Sequence, residues 1–481
     1  MKIPLGLGSY ESKSIPFSAQ RCVNLYADIA QDEGLSEFIL QGTPGVVSFA
    51  ALGSGVSRGA IVMGGVYYVV SGNTLYSVDS LGVGTNRGTI AGAKRVSMAH
   101  NGDKLCLVVP GGNSYVYVAS TTTLTPITDV DFLASDTVCF KDGYYVFTQT
   151  AGNVFFISAL NDPLSFDALD RGTAEQSPGN IIGCHANYDE VVVFKEDNTE
   201  IFQNVGGSGF PFQRIPGASL EKGSHCKYSP IQWGGSFFFL GGGINEKTSF
   251  FEARAGGEPA QISTDAISNE IQKFTREEIA EAFTFSYSIG GINFVGITIR
   301  SSNINSRTFV YNVTASILAK RPVWFEQQSG VTENAWRSES IDFVYNKLLI
   351  SDNVDGRVGY LDVDTYDEYG NAILREKTLP PVYFGNSGVY FSKLELFIDS
   401  GRGLIIGQGS DPQIMMEFSD DGARTWSSEF WRKMGAIGEY NRRSVWRRLG
   451  RADRSRVFRF SVSDPIQTTL IKCEVTISGG K

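Results

Sequence analysis

Three histidines, His100, His185 and His225, are all that this 481-residue chain offers for proton transfer near neutral pH or for imidazole ligation of a metal. Two of them adjoin cysteine, as Cys184-His185 and His225-Cys226, and four soft ligands of that kind would suit zinc. Neighbouring residues of a strand point to opposite faces, however, so each pair converges on one ion only inside a distorted turn. There is no GxSxG, P-loop, CxxC or HExxH, and the glycine run Gly241 to Gly243 follows a strand without opening a helix. The acidic pairs Asp362 with Asp364 and Asp420 with Asp421 are of a kind common in acidic, turn-rich chains, and spacing alone does not make a glycosidase dyad of them. The expectation is no catalytic residue, no metal site and no cofactor.

The residues that do cluster are basic. Between Arg424 and Arg459 stand eleven lysines and arginines against three acids, a local charge of +8 in a chain whose net charge is −9, which leaves −17 elsewhere. Such segregation suits a positive surface facing an acidic partner, either a protein subunit or nucleic acid. Tryptophans are interleaved with the arginines, a combination enriched in interface cores, and arginine pairs bidentately with carboxylates. The predicted assembly interface is therefore Trp431, Arg432, Lys433, Arg442, Arg443, Trp446, Arg447, Arg448 and Arg451. The competing reading makes these arginines the solvated face of strands.

The frame that must carry this segment is all-β. One phrase recurs seven times between Gly64 and Asn346: a two-residue turn, an aromatic or β-branched strand, a break, and another such strand. The turns are Gly64-Gly65, Asn101-Gly102, Asp142-Gly143, Tyr188-Asp189, Gly234-Gly235, Gly290-Gly291 and Tyr345-Asn346, spaced by 37, 41, 46, 46, 56 and 55 residues. Periods of that length with about four short strands each are the signature of β-propeller blades. The sequence predicts a propeller of six or seven blades over residues 50–376, the last two repeats being long. An extended N-terminal segment, residues 1–49, precedes it, and Gly45 to Ala50 is placed to supply a closing strand. Helical pattern is confined to Asp265 to Phe283, where Thr275 to Glu278 has the spacing of a capping box.

After Leu379-Pro380-Pro381 the pattern changes to longer alternating strands, such as Leu394, Leu396 and Ile398 against Lys393 and Glu395, which predicts a C-terminal β-sandwich over residues 377–481. Ser419 to Trp426 approaches the Asp-box hairpin, S-x-D-x-G-x-T-W, departing at Ala423; the motif stabilises a turn rather than forming a site. It also motivates the alternative function, a carbohydrate-binding or sialidase-like propeller. The six cysteines are scattered, MKIPLGLGSY lacks the apolar run of a signal peptide, and no stretch is apolar enough to span a bilayer. The expectation is a disulfide-free protein made in the cytoplasm, with the sequon Asn312-Val313-Thr314 a chance match.

Several segments, taken in order, resemble the packaged-DNA stabilisation proteins, or tail hub proteins, of short-tailed bacteriophages. They include Arg21 to Tyr26, Gly42 to Gly45, Ser57 to Gly59, Arg95 to His100, Glu175 to Gly183, Leu220 to Gly223, Thr275 to Ala280 and Val445 to Arg451. The resemblance implies a structural virion protein of the tail, not an enzyme. It implies a six-copy ring below the portal and its adaptor ring, continuing the channel for packaged double-stranded DNA, receiving the tail needle, and offering side surfaces to tailspikes or fibres.

Overall fold

All seven recurring turns are hairpin tips between antiparallel strands. Both central residues have positive φ at Gly64-Gly65, Asp142-Gly143, Gly290-Gly291 and Tyr345-Asn346, the last without any glycine. The computed structural model describes residues 1–479 except residues 54, 208, 255–256 and 384–387.

The fold is a six-bladed β-propeller joined to a C-terminal β-sandwich. Four blades are regular meanders whose inner strands are Ser57–Met63, Ser97–His100, Ser135–Lys141 and Ile181–Asn187. The fifth is built around Ser236–Gly242, which pairs with both Gly223–Ser224 and Ile231–Trp233. In the sixth, Ser338–Val344, Lys347–Asp352 and Arg357–Asp362 are completed by the N-terminal strand Gly45–Ala51, paired to Arg357–Asp362. Between the fifth and sixth blades stands a further meander, Phe283–Ile289, Ile292–Ile299, Arg307–Asn312 and Trp324–Glu326, whose outer edge is not free. It runs on through Cys22–Val23 and Arg375–Thr378 to Ser455–Val462, Gln413–Ser419 and Phe430–Lys433 of the sandwich, as one ten-stranded sheet.

Each blade is apolar on both faces, so it is stable only between neighbours. The aromatic strands of the sequence repeat supply the filling: Phe147, Phe156 and Phe166 with Phe132 between blades two and three, and Phe194, Phe237 and Phe239 between four and five. A fully buried phenylalanine contributes about 1.5–3 kcal/mol by transfer alone. The two long repeats owe their length to helices. Asp265–Ile271 and Arg276–Ala280 follow blade five, with the capping box at Thr275 and Glu278 formed. A third helix, Val313–Ala319, was not legible; Asn312 caps it and donates from its amide to the Ala27 carbonyl at 2.8 Å, which buries the sequon asparagine.

The N-terminal segment does more than close a blade. Lys2–Ile3 pairs with Thr469–Gly479, Cys22–Val23 lies between Trp324–Glu326 and Arg375–Thr378, and Leu25–Ile29 with Phe38–Gly42 extends the seven-stranded sheet of the sandwich. One continuous apolar cluster accordingly holds Phe285, Phe294 and Trp336 together with Leu25, Leu394, Trp446 and Phe460.

Gly143 tests the turn assignment. Its φ is +85°, and a Cβ there would stand 2.7 Å from Leu160 Cδ1. Gly143→Val is expected to destabilise the chain by about 1–2 kcal/mol or more, since the left-handed region disfavours L-residues and most of all β-branched ones. An unchanged midpoint of denaturant unfolding would refute the assignment.

Candidate assembly surface

The basic segment divides between surface and interior. Its strands Phe430–Lys433 and Ser444–Arg447 are edge strands of the two sandwich sheets, and they meet. Trp446 Nε1 donates to the Phe430 carbonyl at 2.7 Å and Arg432 Nε to the Val445 carbonyl at 2.7 Å. This contact gathers Trp431, Arg432, Lys433, Arg442, Arg443, Arg447 and Arg448 along one exposed rim, with Arg451 beyond it.

Trp446 is the exception among the predicted interface residues. It is fully buried and packs on Phe460 with ring centroids 5.5 Å apart, so it supports the rim from below and touches no partner. Alternation along Ser444–Arg447 explains this, because Ser444 and Trp446 share the inward face. Trp431 remains outside, 47% exposed.

The arginines also differ in what they already hold. Arg456 is buried, with Nε and Nη2 each 2.6 Å from a carboxylate oxygen of Asp420 and the guanidinium over Phe418. Arg459 pairs with Glu417 at 2.7 Å and lies over Trp426. Arg443 grips Glu395 through both carboxylate oxygens, at 2.6 and 2.7 Å; with Lys393 beside it, this pulls the Glu395 carboxyl down to about 2. Lys433 pairs with Asp411 and Arg451 with Asp453. Among the described residues Arg432, Arg442, Arg447 and Arg448 meet no carboxylate within 4.0 Å, so these four are the cations left to an incoming partner.

The Asp-box hairpin is a built turn. Asp421 accepts from the amides of Arg424 and Thr425 at 2.9 and 3.0 Å and from the Thr425 hydroxyl at 2.6 Å, which holds its carboxyl well below the usual range. Ala423 takes the left-handed conformation, φ +68°, at the position where the motif has glycine. A Cβ on Gly422 would stand 2.8 Å from Pro16, so the N-terminal loop sits directly on this turn.

Sequence reasoning missed a second charged feature, which joins the domains. Along one face of the ten-stranded sheet run Arg307, Glu326, Arg21, Glu376, Arg459 and Glu417, alternating in sign strand by strand. Glu326 Oε2 accepts from Arg307 at 2.7 Å and from Arg21 at 2.9 Å, and Arg459 is 3.9 Å from Glu376. Burial would raise the Glu326 carboxyl, but Arg21 and Arg307 outweigh it and hold it low. Glu376 has a weaker partner, and burial leaves it raised. The ladder's members lie hundreds of residues apart, so no local pattern signals it.

The propeller's central funnel is a blind cavity of about 410 Å³, lined by Ile61, Met98, His100, Phe140, His185 and Lys227 among others. At one end Tyr228 donates to the Arg95 carbonyl at 3.0 Å, Arg95 bridges to Glu339 and lies 4.3 Å from the Phe283 ring centroid, and Arg300 reaches Glu339 at 3.1 Å. No carboxylate lines the cavity, and burial lowers His185 to about 4. His225, also pushed to about 4 by burial, is bonded to the Thr248 hydroxyl at 2.7 Å. Among the described residues no three His, Cys, Asp or Glu side chains are grouped to hold a metal, and all six cysteines are unpaired. Blade aromatics are buried between blades rather than gathered at the funnel, and nothing there favours the sugar-cleaving alternative.

Two families match in succession: "Bacteriophage P22 Gp10, beta-propeller" over residues 1–366 and "Bacteriophage P22 Gp10, beta-sandwich" over residues 377–478. The tail hub protein gp10 of Salmonella phage P22 is 24% identical over 442 residues, covering 88% of each chain. Among solved structures, the computationally designed Ika8 protein aligns with TM-score 0.40 and 12% identity over 71% of this chain and 99% of its own. The N-terminal domain of Nup159 aligns with TM-score 0.38 and 12% identity over 71% and 99%.

Buried carboxyls give the fold a pH signature. Burial raises Asp342, on the inner strand of blade six, to about 7, and its Oδ2 has no hydrogen-bond partner; burial likewise raises Glu368 to about 7. An acid raised in the folded state contributes stability that is present below its unfolded value and lost as pH rises through about 7, whereas depressed Glu326 contributes stability lost as pH falls. Asp342→Asn is therefore expected to raise the melting temperature at about pH 8 and to change it little at about pH 5. Calorimetry finding equal shifts at both would refute this.

Proposed function

The chain belongs to the bacteriophage P22 Gp10 family, and from that membership we propose that it is the structural hub of a phage tail, made in the host cytoplasm and carried in the virion. In this role it is not an enzyme. It forms a six-copy ring that closes the channel of the portal and adaptor rings, keeps packaged double-stranded DNA in the head, and links the adaptor to the tail needle and to tailspikes or fibres. The observation that carries the reading is the family match along both domains in order.

The geometry supports it in two ways. A propeller whose funnel is blocked by Arg95, Tyr228 and Glu339 passes nothing through itself, so a DNA channel has to lie between copies, which a ring supplies. Antiparallel blades joined by tight turns also hold many loops on a stiff frame, which suits simultaneous partners.

Within this reading, the free cations of the sandwich rim dock the acidic face of an adaptor subunit or of the next hub copy. Arg447 and Arg448 stand at one end of the rim, exposed and without carboxylate partners among the described residues. Changing both to Glu is expected to leave the monomer folded, to block its addition to portal-containing heads, and to let packaged DNA leak. Heads that add the doubly changed protein and retain their DNA would sink the assignment. DNA as the acceptor is separated from protein by salt, since phosphate contacts release condensed counterions and weaken steeply as salt rises.

A further inference from the structure

At the opposite end of the Ser444–Arg447 strand, two loops of the sandwich present apolar side chains to water. In residues 401–409, Leu404 is 40% exposed and Ile405 and Ile406 are each 81% exposed; in residues 435–443, Ile437 is 58% and Tyr440 69% exposed. The loops are locked together. Gly438 N–H donates to the Gly401 carbonyl at 3.3 Å, and the Ser400 hydroxyl donates to the Tyr440 carbonyl at 2.6 Å. Gly403 lies against the second loop so closely that a Cβ there would be 3.1 Å from Ala436 Cα. The Leu404 amide closes a turn on the Gly409 carbonyl at 2.8 Å, which leaves Ile405 and Ile406 at the tip. Behind them Met434 and Ile466, each 1% exposed, anchor the loops in the core.

Single exposed aliphatic residues are ordinary on protein surfaces, but five large apolar side chains on two joined loops mark a contact. Cations surround this knob: Arg402 within the first loop, and Lys433 and Arg442 flanking the second, Arg442 without a carboxylate partner among the described residues. A projecting aliphatic tip needs a partner that yields around it. A fluid bilayer does so without a matching socket, its anionic headgroups complement the flanking cations, and a tyrosine at the rim suits the interfacial level. We propose that the Leu404–Ile405–Ile406 knob, with Ile437 and Tyr440, inserts shallowly into an anionic lipid surface. No helix of the described chain is long and apolar enough to cross a membrane, so this contact is peripheral. It is a second activity, independent of the hub role and of the Arg447 and Arg448 contact.

The test is sedimentation of the purified full-length chain with vesicles of phosphatidylethanolamine and phosphatidylglycerol, and with neutral phosphatidylcholine vesicles. The wild type is expected to co-sediment with the anionic vesicles and far less with the neutral ones. Ile405→Asp with Ile406→Asp, on an exposed turn, should reduce binding at least tenfold without changing the melting temperature. Arg402→Glu with Arg442→Glu should abolish the preference for anionic lipid. Ile405→Trp should show a blue-shifted emission on adding anionic vesicles. Failure of the wild type to sediment with either vesicle overturns the proposal, as does unchanged binding by the aspartate variant. If the aspartate variant instead lowers the mass of a self-assembled species in light scattering, the knob is a contact between copies and the lipid assignment is wrong.

Discussion

The pairing of Cys22–Val23 between Trp324–Glu326 and Arg375–Thr378 is the contact on which the rest of the architecture depends. Remove it and the ten-stranded sheet falls into two, one part belonging to the propeller and the other to the sandwich. The ion ladder across that seam reinforces it. Glu326 serves two guanidiniums at once, and depriving a buried ion pair of one partner typically costs about 3–5 kcal/mol because the remaining charge stays desolvated. With the shared apolar cluster beneath, propeller and sandwich behave as one rigid unit rather than as beads on a linker.

Rigidity of this kind fits a part that transmits contacts. A blocked funnel, blades stabilised only by their neighbours, and loops bound to each other at the backbone all limit internal motion, so a partner bound at one rim is held in fixed relation to partners elsewhere. The free arginines sit on that frame beside arginines that are already spoken for. Arg443, Arg456 and Arg459 show that an arginine-rich stretch of sequence is a mixture of internal struts and available cations, and only their carboxylate partners tell them apart.

Much of the fold was legible because it is periodic. Turn dipeptides such as Gly64-Gly65 and Asp142-Gly143 force hairpins, and aromatic strands behind them force blade-on-blade burial, so local chemistry dictates the repeat. The capping box at Thr275 was legible for the same reason. The path of the N-terminal segment was not, since Leu25–Ile29 and Phe38–Gly42 carry no sign of joining a sheet whose other strands lie near the opposite end of the chain. The interface residues were legible as a charge cluster but not as a surface. Trp446 reads like Trp431 in sequence, and only the pleat of a particular strand turns one inward and the other outward.

The weaving of the first 51 residues also sets an order on how the chain becomes itself. Gly45–Ala51 waits for Arg357–Asp362, Cys22–Val23 waits for Trp324–Glu326 and Arg375–Thr378, and Lys2–Ile3 waits for Thr469–Gly479. On a ribosome these early strands emerge unpaired and stay so through most of translation, while blades one to five can form behind them from local hairpins. Contacts between such distant segments are slow to close and expose sheet edges until they do. Completion is therefore a late and nearly simultaneous event in which the last blade, the shared sheet and the sandwich all close together, so that a prematurely terminated chain has no finished domain to offer to assembly.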